Sequence, residues 1–479
     1  MTPPDSLLQM LTDYSHGPAL PFHMPGHKRH ALHSPALPWG LDITEIDGFD
    51  DLHDPEGILA ESMARAARLW GSRRAWYLVN GSTGGILAAL HAALPRGSTL
   101  LAARNCHKSL YHALELLDLE PVFLTPPADP ATGLAASLPV EAVQAALTAH
   151  PEAKALFLTS PTYEGVLSDL PRLAKLCHAH GAALIVDEAH GPHLGFSPFP
   201  AGAVAAGADL VVQSLHKTLP SLTQTAILHW QGNLVDPDRV ARSLGIFQTS
   251  SPSYLFLASM DGCVRLLEEN GAEVFHTWAE ALGEFDGRIA GLRRLSVLCH
   301  GADKLCAHPG FFAHDPSKLV ISTLGTGLTG PALMARLRKE FSIELEMAGP
   351  AHVLAMTGPG DRKTDLAALA HALLTIDRDC PPGEQATPPV LPPVPARALS
   401  AGAALEREAV VLPFARTPGM TAAEYLWAYP PGIPLAVPGE VVSPALLESL
   451  EAYLRAGLSL KSTAGSPTGH LRVLPVENP

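Results

Sequence analysis

The chain has 479 residues, a formal net charge of −14 at pH 7 and a pI near 5.9. This length allows more than one domain and a large hydrophobic core. The acidic balance argues against a surface for nucleic acid or anionic membranes, because both require clustered Lys and Arg.

The six cysteines are scattered along the chain without a CxxC pair, so the sequence indicates neither a zinc site nor a disulfide framework. We therefore expect no metal and reduced, mostly buried thiols. The amino-terminal segment lacks a basic region followed by an apolar one, and no later apolar run reaches membrane-spanning length. These features predict a soluble, cytoplasmic protein. The cysteines are Cys106, Cys177, Cys263, Cys299, Cys306 and Cys380.

The first part of the chain predicts a short helix near residues 5–14 and then an irregular arm rich in Pro, Gly, His and Asp over 18–57. From about residue 58, short apolar strands alternate with helices. This alternation predicts an α/β domain with a mostly parallel sheet and helices on both faces. Functional residues should then sit at the carboxyl ends of the strands. The strand segments are AWYLVN, TLLAA, ALFLTS (155–160), ALIVDE (183–188) and DLVVQS (209–214).

The second half predicts a long helix around 253–270 and a smaller α/β unit with strands near KLVIST and HVLAMTG. A proline-dense stretch follows and predicts an extended linker. We predict five parts: an arm (1–57), a large domain (58–275), a small α/β domain (276–380), a linker (381–400) and a C-terminal segment (401–479).

Lys217 comes directly after a predicted buried strand, in DLVVQSLHKTL. A lysine that forms a Schiff base must offer a neutral amine, which burial and neighbouring positive groups favour. Taken alone, Lys217 is better explained as a surface residue, because lysine is usually exposed. The other motifs favour the Schiff-base role.

Asp187 ends the predicted strand ALIVDE, so its carboxylate needs a buried cation as a partner. The protonated pyridine nitrogen of pyridoxal phosphate (PLP) is such a partner, and its protonation makes the ring an electron sink. The alternative is a magnesium-binding DE pair. That alternative lacks the GxxxxGK[ST] loop that usually accompanies it.

The segment NGSTGG, residues 80–85, lies between a predicted strand and an Ala-rich helix. Gly81 permits close backbone approach, and the hydroxyls of Ser82 and Thr83 can donate to phosphate oxygens at the helix start. A turn followed by an ordinary N-cap explains this segment equally well.

His107 follows the strand TLLAA, where an imidazole could stack on a flat ring. A lone histidine in such a position is more often a cap or a surface residue. The same holds for Thr162 and Tyr163 in SPTYEG, so their roles depend on wider similarity.

The chain as a whole resembles the Orn/Lys/Arg decarboxylase family. Only about twenty residues precede the first shared motif, so it resembles the shorter bacterial members without an N-terminal wing domain. The resemblance implies the aspartate-aminotransferase-like fold of PLP enzymes, with a seven-stranded-type sheet and a smaller α/β C-terminal domain. The shared motifs are PFHMPGHKR (21–29), DITEIDGFDDLHDPEGIL (42–59), NGSTGG, RNCHKS, SPTYEGV, DEAHG, QSLHKTL, TSSPSY (249–254) and YPPGIPLAVPGE (429–440).

The resemblance also implies residue roles. Lys217 would hold PLP, Asp187 would contact the ring nitrogen, and His107 would stack on the ring, these three being the catalytic residues. It implies a homodimer in which TSSPSY approaches the phosphate of the neighbouring subunit. The full set implied for cofactor binding is Gly81, Ser82, Thr83, His107, Asp187, Ala189, His190, Ser214, His216 and Lys217.

The implied reaction is loss of CO2 from arginine, lysine or ornithine, with either Lys217 or His107 returning a proton to Cα. The short form favours arginine, giving agmatine for polyamine synthesis. A carboxylate must bind the distal cation of the substrate, because an unpaired buried charge is costly. The candidates are Asp50, Asp51 and Glu440, each of which could instead be a structural turn carboxylate.

Two other functions remain open at this point. One is another PLP reaction on the same fold, such as transamination, since a fold does not fix a reaction. Transamination should show an arginine clamp for the α-carboxylate, and only Arg104, near His107, is a candidate. The other is a catalytically silent regulator, which would be expected to have lost one of the motif residues.

Overall fold

The protein was analysed as a computed structural model. The structure describes residues 6–18, 25, 28, 37–303, 308–380, 383, 393–428 and 432–475. Within these ranges the chain forms a large α/β unit, a small α/β unit and a C-terminal unit. None of the helices in these ranges is long and apolar enough to span a lipid bilayer.

The large unit is built on a seven-stranded sheet in the order β1-β8-β7-β6-β4-β2-β3. Strand β8 runs antiparallel to both neighbours, and the other pairs in the sheet are parallel. The predicted fold class is therefore confirmed. The strands are β1 Arg74–Leu78, β2 Thr99–Ala103, β3 Glu120–Leu124, β4 Ala155–Thr159, β6 Ala183–Asp187, β7 Leu210–Gln213 and β8 Ala226–Trp230, and the short β5 is Val166–Leu167.

Consecutive residues of β6 and β7 point to opposite faces of the sheet, and all of them are buried. Both faces of the sheet are therefore covered, as expected when helices pack on each side. Asp169 caps α6 by accepting the N–H of Arg172, and Gly71 ends α2 in the left-handed conformation. The helices are α1 Leu7–His16, α2 Ile58–Trp70, α3 Gly81–Ala93, α4 Lys108–Leu116, α5 Val140–Ala149, α6 Leu170–Ala179, α7 Leu215–Thr218, α8 Pro237–Phe247 and α9 Tyr254–Ile289.

The small unit contains a four-stranded antiparallel sheet in the order β12-β13-β11-β9. Its two central strands are the predicted segments KLVIST and HVLAMTG. Strand β10 pairs with β5 and so joins the small unit to the segment after β4. The elements are β9 Ser296–Val297, β10 Ala313–His314, β11 Lys318–Ser322, α10 Gly330–Phe341, β12 Met347–Ala348, β13 His352–Met356 and α11 Lys363–Asp379.

The C-terminal unit has a core of its own, formed by residues such as Phe414, Leu435, Leu446 and Leu471. Strands β14 and β18 pair, and β15 lies between β16 and β17. The elements are α12 Ala401–Leu405, β14 Val410–Pro413, β15 Leu426–Ala428, β16 Ile433–Ala436, α13 Pro444–Arg455, β17 Leu460–Ser462 and β18 His470–Val473.

The five predicted parts remain predictions, although α9 bears on one of their boundaries. This helix continues without interruption across residue 275, and it packs against both α2 of the large unit and α11 of the small unit. The two units therefore share one helix.

The cysteines require one correction. Cys106, Cys177, Cys263 and Cys380 are free and buried, as expected. Cys299 instead forms a disulfide, so the expectation that all six thiols are reduced is wrong. Spacing rules look for CxxC pairs or a dense framework, and neither pattern occurs at this residue.

Candidate active site

A cavity of about 390 Å³ lies at the carboxyl ends of the central strands. All ten residues predicted to bind the cofactor line it, from Gly81 at the start of α3 to Lys217 on α7. The structure thus brings together segments far apart in sequence, as the carboxyl-end rule predicts. Tyr163, whose role the sequence left open, also lines the cavity. The other lining residues were not among those predicted to bind the cofactor: Asn80, Asn105, Thr159, Gln224 and Ile433.

Lys217 lies on the one-turn helix that directly follows β7, with its Nζ 2.8 Å from Nε2 of His190. Burial lowers the pKa of the Lys217 amine, and the charge of Lys318 acts in the same direction. The carboxylates of Asp187 and Glu346 oppose this shift. Lys217 therefore lines a cavity and is biased towards the neutral amine, unlike an ordinary surface lysine.

His190 is the nearest partner of the Lys217 amine. Its ring packs on Tyr163 with 4.3 Å between ring centroids. Burial and the charge of Lys217 hold its pKa well below the usual range, so the ring is neutral. A neutral imidazole can accept a hydrogen bond through Nε2, which suits a contact with an amine donor.

Asp187 ends β6 and is 3% exposed. Its Oδ1 accepts the backbone N–H of Ala189 at 3.1 Å. Burial raises its pKa, whereas the charge of Lys217 and the N–H of Ala189 lower it. The cavity therefore contains a buried carboxylate whose charged form a cationic ring nitrogen would stabilise.

The segment NGSTGG forms the first turn of α3. Gly81 has a φ of +69°, which glycine adopts readily, and at Gly85 a Cβ would lie 2.4 Å from a methyl carbon of Leu78. Asn80 makes no side-chain cap hydrogen bond, so no capping side chain occupies the first-turn N–H groups. An anion-binding turn therefore fits better than an ordinary N-cap.

His107 is the N-cap of α4 and also lines the cavity. Its Nδ1 accepts the backbone N–H of Ser109 at 3.3 Å. Burial, with the charge of Lys217, lowers its pKa to about 3. The ring is therefore neutral, and its hydrogen is on Nε2.

The residues present fit PLP. Three buried polar atoms around the cavity lack a hydrogen-bond partner within the described chain: Oγ of Ser214, Oγ1 of Thr159 and Nδ1 of His190. Buried polar groups are normally satisfied, so such a cluster indicates a missing polar partner. A phosphate at the start of α3 would give Oγ of Ser214 a partner, and a cationic ring nitrogen would pair with the carboxylate of Asp187.

The three predicted substrate carboxylates do not line the cavity. The carboxylate of Asp50 accepts backbone N–H groups from five residues around the start of α2. Oδ1 of Asp51 accepts the N–H of His53 at 2.8 Å. Glu440 pairs with Arg104 at 2.8 Å in a buried position. The geometry supports the structural alternative for all three.

Arg104 is therefore not a free clamp for a substrate carboxylate. Its guanidinium is occupied by Glu440 and lies over the rings of Tyr111 and Phe123. No arginine lines the cavity within the described ranges. The arrangement that transamination requires is not found there.

Glu346 is a carboxylate that sequence reasoning missed. It lies between α10 and β12, its Oε1 accepts the hydroxyl hydrogen of the cavity residue Tyr163, and its charge acts on Lys217. Its side chain is otherwise exposed. No motif marks this position. Glu346 does not line the cavity itself, and it reaches Tyr163 at the cavity wall from the small unit through tertiary packing alone.

Two shared motifs are only partly visible. The segment PFHMPGHKR lies outside the described residues except for two positions, 25 and 28, and 429–431 of YPPGIPLAVPGE lie outside them as well. The rest of the second motif contributes Ile433 to the cavity wall.

Comparison with known proteins identifies two matching family profiles. Residues 3–298 match "Orn/Lys/Arg decarboxylase, major domain", and residues 387–462 match "Orn/Lys/Arg decarboxylase, C-terminal domain". The chain is 34% identical over 464 residues to an arginine decarboxylase of Halalkalibacterium halodurans, covering 95% of this chain and 94% of that protein. It is 33% identical, with the same coverage, to an arginine decarboxylase of Bacillus subtilis.

More distant similarity extends to lysine decarboxylases. The constitutive lysine decarboxylase of Escherichia coli is 27% identical over 387 residues, which cover 71% of this chain and 53% of that protein. The solved structure of the E. coli constitutive lysine decarboxylase superposes with a TM-score of 0.81 at 21% identity, covering 98% of this chain and 82% of that chain. An alanine–glyoxylate aminotransferase from Nostoc superposes with a TM-score of 0.53 at 16% identity, covering 66% of this chain and 86% of that chain. These structural likenesses support the fold.

Proposed function

Because the chain belongs to the Orn/Lys/Arg decarboxylase family, we propose that it is a PLP-dependent decarboxylase of basic amino acids with arginine as its preferred substrate, releasing agmatine and CO2. The observation that carries this proposal is the convergence of Lys217, Asp187 and the uncapped start of α3 on one cavity. A nucleophilic amine, a buried carboxylate and an anion site are the three features that hold PLP.

The proposed roles of the lining residues follow from their contacts. Asp187 would hold the protonated ring nitrogen, and His107 would pack on the ring. When bound, the cofactor supplies an electron sink for the electron pair released as CO2 leaves. The phosphate would be held by the first turn of α3, with Ser82, Thr83, Ser214 and His216.

The residues of the chain divide the proton chemistry between them. Lys217 must offer a neutral amine to bind the cofactor, and His190 can accept a hydrogen bond from that amine at 2.8 Å. The sequence left Lys217 and His107 open as donors of a proton to Cα. Both remain candidates, because each must first take up a proton: Lys217 is biased towards its neutral amine, and burial lowers the pKa of His107 to about 3.

For the distal cation of the substrate we propose Glu346 in place of Asp50, Asp51 and Glu440. The hydroxyl of Tyr163 holds the carboxylate of Glu346 beside the cavity, where it is accessible to an incoming ligand. A guanidinium can form two parallel hydrogen bonds to such a carboxylate. The near-full-length similarity to proteins named arginine decarboxylase supports arginine over lysine.

We further propose a cytoplasmic homodimer in which TSSPSY of one subunit approaches the cavity of the other. In the single chain this segment leads into α9, and the carbonyl of Thr249 contacts Nε2 of His53 at 2.8 Å. Residues 249–251 of this segment are exposed, whereas Pro252 and Tyr254 are buried within the subunit.

The test is to give purified, PLP-loaded protein arginine, lysine and ornithine separately and to measure CO2 and the amine product by mass spectrometry. We expect agmatine from arginine and at least tenfold slower release from the other two substrates, because two hydrogen bonds to a carboxylate are lost or weakened. The Lys217→Ala variant should lose both activity and the absorbance of bound cofactor.

The parent protein could show cofactor absorbance that Lys217→Ala lacks and yet give no product from any of the three substrates. That result would support the proposed cofactor site and contradict the proposed reaction. A parent protein without cofactor absorbance would reject both.

A further inference from the structure

Lys318 is a second lysine beneath the cavity and is 0% exposed. It begins β11 of the small unit, and its Nζ donates to the backbone carbonyl of His190 at 3.1 Å. The same Nζ lies 3.6 Å from Oδ2 of Asp315. A buried ammonium is stable only with such partners, so Lys318 is placed at a considerable desolvation cost.

Asp315 connects this lysine to the helix that contains Lys217. Its Oδ1 accepts the backbone N–H of Ser317 at 2.9 Å and lies 3.0 Å from Nε2 of His193. Nδ1 of His193 lies 3.0 Å from the hydroxyl of Thr218. Because Thr218 follows Lys217 in the chain, the network ends directly beside the cofactor lysine.

Lys318 and Lys217 also meet at His190. Lys318 holds the backbone carbonyl of this residue, and Lys217 contacts its ring. The packing around Lys318 is tight, since a Cβ at Gly165 would lie 2.8 Å from its Cγ. The small unit therefore reaches under the cavity with the ammonium of Lys318, which is paired with Asp315.

We propose that Lys318 is a positioning residue for Lys217, which it serves by fixing His190 and by placing a positive charge that favours the neutral form of the Lys217 amine. This inference rests on the proposed role of Lys217 and adds to it a residue from the small unit. A nearby cation is one of the two general means by which a lysine is kept nucleophilic, and burial is the other.

Charged and titratable groups reach Lys217 from four directions. Lys318 is the other lysine among them; burial lowers its own pKa, and the charge of Asp315 opposes that shift. Burial and Lys318 favour the neutral amine, whereas the two carboxylates favour the ammonium. The neutral histidines contribute no charge. The groups are His216 on its own helix, Asp187 and His190 after β6, His107 at α4, and Lys318 and Glu346 from the small unit.

The experiment measures the reactivity of Lys217 itself in the full-length chain freed of cofactor. Trace acetic anhydride labels only neutral amines, and mass spectrometry of the peptide containing Lys217 gives the labelling rate at each pH. The midpoint of that profile reports the proton affinity of Lys217 without any catalytic turnover. The rate of PLP binding at pH 7, followed by absorbance, is a second readout.

In Lys318→Met we expect the midpoint to rise by about one pH unit and PLP binding at pH 7 to slow about tenfold, because one nearby positive charge is removed. Lys318→Arg retains the charge and should restore the midpoint to within about 0.3 unit of the parent. Thr218→Val breaks the same network without changing the charge and should leave the midpoint in place.

An unchanged midpoint in Lys318→Met, or an equal shift in Thr218→Val or Lys318→Arg, overturns the proposal. If Lys318→Met does not fold, Lys318→Gln is the replacement, because it removes the charge while keeping a polar side chain, and it should raise the Lys217 midpoint. An unchanged midpoint in that folded variant also overturns it. None of these readouts needs decarboxylation, so the proposed reaction can fail while this inference stands.

Discussion

Asp50 illustrates how one carboxylate can serve the backbone rather than a ligand. It has a φ of +67°, and its two oxygens accept N–H groups from Asp51, Glu56, Gly57 and Leu59 at 2.9 Å. Burial acts to raise its pKa, but these backbone donors lower it overall. The residue fixes the entry into α2.

We predict that Asp50→Ala lowers the free energy of unfolding by about 1–2 kcal/mol, since it leaves the donors at a helix start unpaired. The folded-state pKa is depressed, so this stabilisation is present above the unfolded pKa and is lost as pH falls through the folded value. Urea unfolding at pH 7 and pH 3 should show a difference that shrinks at pH 3.

Asp51→Ala is the matched control for this prediction, because its carboxylate accepts a single N–H from His53. Equal destabilisation by the two variants would contradict the capping role of Asp50. If Asp50→Ala altered the preference among arginine, lysine and ornithine, Asp50 would be a substrate-binding residue after all.

Glu346→Gln should raise the KM for arginine by roughly 10–100-fold, because a charge-assisted hydrogen bond contributes about 1.5–3 kcal/mol. The value of kcat should change far less, since the side chain binds a part of the substrate that does not react. Steady-state kinetics with arginine measure both values.

Glu344→Gln serves as control for that variant, because Glu344 is a nearby exposed carboxylate that pairs with Arg338 instead. We expect parent kinetics from it. A fall in kcat with an unchanged KM in Glu346→Gln would place this residue in the chemistry and not in binding.

Sequence reasoning succeeded where a residue follows a strand. Lys217, Asp187 and His107 each stand just beyond the end of a short apolar run, and all three line the cavity. It failed for Glu346 and Lys318, because neither carries a local pattern and both reach the site only through packing of a different unit. Sequence reasoning also selected Asp50 as a substrate carboxylate, whereas its oxygens accept backbone N–H groups at the start of α2.

At the scale of elements, the ion pair of Arg104 and Glu440 joins the end of β2 to the C-terminal unit. Both side chains are buried, and the guanidinium also donates to the carbonyl of Leu435. Burial raises the pKa of Glu440, and Arg104 lowers it. Through this contact β16 is held against the cavity, to which it contributes Ile433.

We predict that Glu440→Gln lowers the free energy of unfolding by about 3 kcal/mol, because it leaves a buried guanidinium without its counter-charge. Chemical denaturation followed by circular dichroism measures the loss. The double variant Arg104→Met/Glu440→Leu should recover most of it, since an apolar pair removes both charges together.

A loss below about 1 kcal/mol in Glu440→Gln would show that the pair behaves like an exposed one and does not secure the C-terminal unit.

The elements themselves were largely predictable, because buried parallel strands are short apolar runs. The extent of α9 was not, since this helix packs against both the large and the small unit, and the disulfide of Cys299 was not, since no CxxC pair or dense cysteine framework marks it.

At the scale of the whole molecule, the proposed dimer predicts a complementation experiment. Lys217→Ala and Ser251→Trp should each be inactive alone, the first through the cofactor lysine and the second through the segment TSSPSY. If TSSPSY acts across the interface, mixed dimers contain one intact site. Refolding the two variants together in equal amounts should then restore about a quarter of the parent activity.

Ser251 is exposed in the single chain, so its substitution should not disturb the fold of the subunit. Size-exclusion chromatography with light scattering provides the check that dimers form. No recovery of activity in confirmed mixed dimers would mean that each cavity uses its own segment.

The ion pair of Arg104 with Glu440 closes a contact between residues 336 positions apart. On the ribosome, the large unit is synthesised first and can begin to fold while the rest of the chain is still being made. Its cavity wall nevertheless lacks Ile433 and the support of Glu440 until the last part of the chain has emerged. Capture of the cofactor in its finished pocket is therefore an event that follows synthesis, and a chain released early would lack that pocket.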